Sequence, residues 1–258
     1  MLISHEIPKT LFSIDELISD YPYVLGHLIS LDKDYKNHYI ERLKKSNFSI
    51  LDNSAFELGK SIDPNELLRV AKELKPTHLI LPDTLHDMQT TIEDSINFYR
   101  ENVDFFQENN ITPIGVVQGN SFEELALCYQ SYLEHGIGYI AIPFDCIKDS
   151  DWSIVRYLFF NYLCNSGLIE FAKDIHFLGI KNPQELLLYS PKQKSYISSI
   201  DTSSPIIHGW KGNEYTEFGC LFEKPSLKLA DNLDVELDAN QLSLISHNIK
   251  KFREYVSR

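Results

Sequence analysis

No apolar run in the 258 residues approaches the roughly 20 that a membrane span requires. The opening MLISHEIPKT has no basic start leading into an apolar core, so no secretory leader is expected. Cysteine is scarce: Cys128, Cys146, Cys164 and Cys220 stand far apart, with no C-x-x-C pair and no zinc-ribbon spacing. This excludes a disulfide scaffold and leaves buried thiols in a reducing cytoplasm as the expectation. Positive charge is also short, with 24 Lys and Arg against 37 Asp and Glu and a net charge of −13. A large nucleic-acid footprint needs the opposite balance, because phosphate neutralisation supplies much of that affinity. No G-x-G-x-x-G turn occurs, which argues against an open dinucleotide-binding sheet. No linker rich in Gly, Ser or Pro interrupts the chain, so one domain over residues 1–258 is expected.

What is there is an ordinary globular composition, 43% hydrophobic and 24% charged. The acid is uneven. Between Asn213 and Asn240 stand Glu214, Glu217, Glu223, Asp231, Asp234, Glu236 and Asp238, against only Lys224 and Lys228.

Short apolar runs alternate with helix-period stretches. Strands are expected at Tyr23–Ile29, Phe48–Leu51, His78–Leu81, Ile111–Val117, Gly138–Ile142, Ile175–Ile180 and Tyr196–Ile200, with Leu2-Ile3 pairing at an edge. Helices are expected over Leu31–Ser46, from the Asp63-Pro64-Asn65-Glu66 start to Lys75, and through the apolar series Ile92, Ile96, Tyr99, Val103 and Phe106. Further helices should follow the Ser121–Glu124 capping box, run from about Asp151 to Ala172, begin at Asn182-Pro183-Gln184-Glu185, and carry Leu242, Ile245, Ile249, Phe252 and Val256. About eight strand–helix rounds with buried strands imply a parallel sheet, and a single-domain (β/α)8 TIM barrel fits the length best.

In such a barrel the strand C-termini share the face that hosts chemistry. There the sequence puts Asp52, Asp83, Gln118, Pro143, Gly179-Ile180-Lys181 and Asp201. Asp52 opens LDNSAFELG, an acid followed by small and polar residues, then Phe56 and Gly59. Alone it suits a turn or N-cap as well as a pocket floor. Asp83 and Asp201 equally suit turn and cap positions. Their recurrence at successive strand ends is what points to function.

The strand ends also resemble a known family. LDNSAFELG is similar to the D-S-G-G-F-Q segment of tRNA-guanine transglycosylases, and LILPD at 79–83 to their base-recognising aspartate strand. GVVQGNSFEE at 115–124 is close to their G-x-V-Q-G and helix. YIAIPF at 139–144 takes the place of the glycine-rich strand end, FLGIKNPQEL at 177–186 resembles M-G-x-G-x-P-E-x-L, and SIDTSSP at 199–205 stands for the nucleophile segment. The matches keep their order over about three-fifths of the chain. The family's C-x-C-x-x-C…H zinc site and the basic tail of its nucleophile motif are absent, and Ser54-Ala55 replaces the double glycine. These departures direct the resemblance to the compact, zinc-free DNA-guanine transglycosylases of phages and bacteria.

The resemblance implies exchange of guanine in DNA for a free 7-deazaguanine base, through a covalent aspartyl-glycosyl intermediate and without metal or cofactor. It makes Asp201 the nucleophile and Asp52 the general acid/base. Asp83, Gln118, Gly119, Ser54, Phe56, Ile142 and Pro143 would bind the base, Phe56 by stacking unless it is core. Lys181, Lys192, Lys194, His208 and Lys211 would meet phosphates around a flipped-out nucleotide, with Trp210 stacking. A homodimer or an accessory DNA-binding protein could supply further basic surface. The alternatives are a tRNA- or nucleoside-directed transglycosylase or hydrolase, and a non-catalytic partner subunit of such an enzyme.

Overall fold

The computed structural model describes residues 1–148 and 152–258, the side chains of residues 152 and 153 excepted. Eight parallel strands run in the order β1-β8-β7-β6-β5-β4-β3-β2. They are β1 (Leu2–His5), β2 (Tyr23–Leu25), β3 (Ile50–Asp52), β4 (His78–Ile80), β5 (Thr112–Val116), β6 (Tyr139–Pro143), β7 (Asp174–Leu178) and β8 (Ile197–Thr202). No backbone ladder joins β1 to β2, yet the seam is bonded. The Asp20 N–H donates to the Ile3 carbonyl at 2.7 Å, and the Ser4 hydroxyl donates to the Tyr21 carbonyl at 2.7 Å. The sheet is thus a nearly closed (β/α)8 barrel, as expected. A small antiparallel hairpin, β9 (Tyr215–Thr216) and β10 (Gly219–Cys220), lies outside it.

The helices are α1 (Asp15–Ile18), α2 (Gly26–Leu31), α3 (Lys33–Lys44), α4 (Ala55–Leu58), α5 (Pro64–Leu74), α6 (Met88–Glu101), α7 (Val103–Glu108), α8 (Phe122–Glu134), α9 (Trp152–Asn165), α10 (Pro191–Lys194), α11 (Ser204–Trp210) and α12 (Ala239–Ser257). Ile50, Leu51, Leu79, Ile80, Ile114, Val116, Ile140 and Ile142 are fully buried, the apolar filling that continuous strand runs require. The caps read from sequence form: Asp63 accepts from the Asn65 and Glu66 N–H groups, and Ser121 accepts from the Glu124 N–H. The return bond of the Ser121 box does not form; Glu124 accepts from the Asn120 N–H instead.

Several expectations need correction. Leu2-Ile3 does pair at the end of the strand order, but the strand runs on to His5 in register with β8, Ser4 opposite Asp201. The Tyr23–Ile29 strand stops at Leu25, and Gly26 opens α2 where a Cβ would stand 2.7 Å from the Asp52 carbonyl. The long helix through Phe106 breaks at Asn102, whose amide bonds back to the Phe98 carbonyl. Asn182-Pro183 opens only a 3-10 turn, Pro183–Leu187, because Glu185 is drawn inward to pair with Arg156. The helix expected from Asp151 to Ala172 ends at Asn165 and gives way to the 3-10 turn Leu168–Phe171; its expected start lies outside the described residues. Among the described residues no helix is long and apolar enough to cross a membrane, and all four cysteines are free thiols.

Candidate active site

The strand C-termini open into a cleft lined by Asp52, Asp83, Gln118, Pro143 and Asp201 among others. Sequence reasoning had set these side chains at successive strand ends, and the fold brings them to one mouth.

Asp201 is the last but one residue of β8 and is buried. Its Oδ1 accepts from the Gly179 N–H at 2.9 Å and lies 3.0 Å from His176 Nε2. His176 is held in turn by Ser199 Oγ, 2.8 Å from Nδ1, and Ser199 meets the Tyr139 hydroxyl at 3.0 Å. A register shift between β7 and β8 makes this chain possible: Ile175 pairs Ile197, but His176 pairs Ser199. The extra residue, Ser198, re-aims the strand beside the site.

Asp52 ends β3, with Oδ2 accepting from the Ser54 N–H at 2.9 Å. Burial, then the charge of Asp201, pushes its carboxyl up to about 8, so it is mainly protonated at neutral pH. The two carboxyls therefore sit in one cleft with unlike environments, the arrangement that separates an acid from a nucleophile. Asp83 receives the Asn53 amide on Oδ1 and the Gln118 amide on Oδ2, both at 2.6 Å. Burial raises it to about 6.

The remaining expected base-binding residues divide. Phe56 and Pro143 line the cleft. Phe56 is 43% exposed, so it is a rim residue and not core, edge-on to Phe144 at 5.3 Å. Gln118 lines the cleft, but its amide serves the protein: it donates to Asp83, and its oxygen accepts from the His86 N–H. Ser54, Gly119 and Ile142 are not in the lining. Ser54 sits at φ +64° and accepts from the His27 N–H, while Ala55 takes the cleft position. A Cβ on Gly119 would meet Glu124 at 2.8 Å, so this glycine lets α8 pack and does not make room for a ligand. Ile142 is buried within β6.

Of the expected cations only Lys181 lines the cleft. Lys192 and Lys194 precede β8 and so lie at its N-terminal end, opposite the mouth; Lys194 donates to the Tyr255 carbonyl at 2.8 Å. His208 is buried in α11 with Nδ1 3.3 Å from Cys220 Sγ, and burial lowers it to about 4. Lys211 caps the far end of α11, over the Trp210 ring at 4.1 Å.

The lining also carries charged residues that the sequence reading did not assign to the site: Glu6, Glu57, Asp145, Lys224 and Lys228. Glu6 immediately follows β1, which runs two residues past the expected Leu2-Ile3 pair and so brings Glu6 to the mouth. Burial and Asp201 raise its carboxyl to about 7. Lys228 donates to the Glu57 carbonyl at 2.8 Å and the Phe56 carbonyl at 3.2 Å, tying the stretch after β10 to α4. Lys224 donates to Ser203 Oγ at 2.8 Å. The two lysines of the acidic 213–240 stretch are thus the ones that turn into the cleft. Among the described residues no cluster of three His, Cys, Asp or Glu is placed to hold a metal ion.

No family model matches this chain, and no curated protein matches it. Among solved structures, 25 chains match. One is a phosphoribosyl anthranilate isomerase crystallised with reduced 1-(o-carboxyphenylamino)-1-deoxyribulose 5-phosphate. It is 15% identical, with a TM-score of 0.46 over 98% of this chain and 100% of that one. The barrel rests on the strand order above and not on this likeness.

Proposed function

We propose that the protein is a base-exchange glycosyltransferase that replaces guanine in DNA by a 7-deazaguanine. The observation that carries this reading is the pair of carboxyls in one cleft with unlike surroundings: burial and the charge of Asp201 push Asp52 up to about 8, while Asp201 Oδ1 meets the Gly179 N–H and His176 Nε2. A carboxylate nucleophile splits the exchange into two displacements with retention at the sugar. Asp201 forms an O–C1′ bond as the C1′–N9 bond breaks. The electron pair leaves with guanine, which takes the Asp52 proton. The incoming base returns a proton to Asp52 as its N9 attacks C1′ and expels Asp201. Asp83 would accept from the purine N1–H and exocyclic amine, and Asn53 and Gln118 would hold it for that task.

A second reading is favoured by the acid of the cleft, where Glu6, Glu57 and Asp145 join the three aspartates. It is a transglycosylase or hydrolase acting on a free nucleoside. Guanine-labelled DNA, tRNA and nucleoside, each with and without added 7-deazaguanine, separate the two. Label released from DNA only when the 7-deazaguanine is present supports exchange. Release from nucleoside alone overturns the DNA assignment, and release from no substrate overturns the enzyme reading.

A further inference from the structure

We propose that Lys181, Ser203 and Lys224 form a subsite for a nucleotide phosphate, the one next to the sugar whose C1′ faces Asp201. This rests on the base-exchange reading above. Three separate segments meet there: Lys181 follows β7, Ser203 follows β8, and Lys224 comes from the stretch beyond the hairpin. Lys224 Nζ donates to Ser203 Oγ at 2.8 Å, so the serine's own proton is left to donate to a ligand.

The direction of the cleft supports the placement. Asp83 with its Asn53 and Gln118 supports marks the base end. Asp201 marks the point of attack on β8. The other substituents of the sugar then point one ring away from the base, towards the rim made by the β7 and β8 ends. Barrels commonly hold phosphate in the loops after those two strands.

Electrostatics supports it as well. Burial opposes the charge on Lys224, and Lys181 opposes it further by repulsion. Glu6, Asp201 and Glu57 offset these costs. That offset is reduced during turnover, because Asp201 loses its charge when it becomes a glycosyl ester while Glu6 and Glu57 remain. A phosphate in the subsite supplies the missing counter-charge at that stage. Lys228 is committed to the Phe56 and Glu57 carbonyls, which leaves Lys224 as the cation of the acidic stretch beside Asp201. The arrangement lets a chain of net charge −13 take a phosphate without a broad basic face.

Titration calorimetry at fixed salt tests this with deoxyguanosine, its 5′- and 3′-monophosphates and deoxyribose 5-phosphate. The intact protein should bind one monophosphate at least about tenfold more tightly than the nucleoside. Lys224→Met and Lys181→Met should each erode the ratio of monophosphate to nucleoside affinity; Lys224→Arg should retain it. Equal affinity for nucleoside and both monophosphates, or an advantage that survives both Met substitutions, overturns the proposal. Absence of binding by every ligand does the same. If deoxyribose 5-phosphate binds in a Lys224-dependent way while no guanine ligand does, the subsite stands and the base-exchange reading falls.

Discussion

His176 Nε2 lies 3.0 Å from Asp201 Oδ1, and the Gly179 N–H reaches the same oxygen at 2.9 Å. Both contacts fall on Oδ1, so among the described residues Oδ2 is the oxygen open to the attack proposed above. Asp201→Asn should abolish exchange and the covalent glycosyl-enzyme seen by mass spectrometry of acid-quenched protein; normal turnover would end the nucleophile assignment. His176→Phe should lower kcat on the order of 100-fold with little change in KM, since it loosens the attacking group and not the base pocket.

Asp52 governs the pH response. Its folded carboxyl holds a proton up to about 8, whereas its unfolded counterpart ionises near 3.8. Between those values the folded state binds more protons, so this group makes stability fall as pH rises. Glu6 and Asp83 are raised as well and act in the same sense. Asp52→Asn should therefore gain in Tm relative to the parent between pH 4 and 8, with a constant difference above pH 8. An unchanged difference over that range would contradict it. Release of guanine by the parent should fall about tenfold per pH unit above pH 8, as the acid is lost.

The buried pair Arg156–Glu185 braces the mouth from behind. Arg156 Nε and Nη2 each meet a Glu185 oxygen at 2.6 Å, while Nη1 donates to the Ile142, Leu178 and Gly179 carbonyls. Arg156→Met strands a buried carboxylate and should cost about 3–5 kcal/mol in urea unfolding. Adding Glu185→Leu should recover much of that loss. Full stability in the single variant would refute this account.

Lys192 and Lys181 separate the two faces of the barrel. Lys192→Ala should leave DNA affinity within about twofold of the parent in fluorescence anisotropy at fixed salt. Lys181→Ala should weaken binding and reduce the salt dependence. A stronger effect at Lys192 would overturn the proposed nucleic-acid contact at the mouth.

The Lys192 and Lys194 placements were legible and were missed: both precede β8, so strand direction alone puts them away from the mouth. Phe56 was not legible, because one aromatic after a strand end suits a core as well as a rim. Gln118 lies where the strand pattern puts it, but its bonds to Asp83 and the His86 backbone depend on how three loops meet.

Alternation of buried strands and amphipathic helices by itself determined the barrel. It also put Asp52, Asp83 and Asp201 at the strand ends, because chain direction and period are local properties. Tertiary structure alone decided that Asp201 is held by His176 and Gly179, that Asp83 is tied up by Asn53 and Gln118, and that Lys224 and Lys228 enter the cleft. Lys228 reaches carbonyls 171 and 172 residues away in sequence. Such contacts follow from the packing of long connections over the barrel mouth, and no local periodicity encodes them.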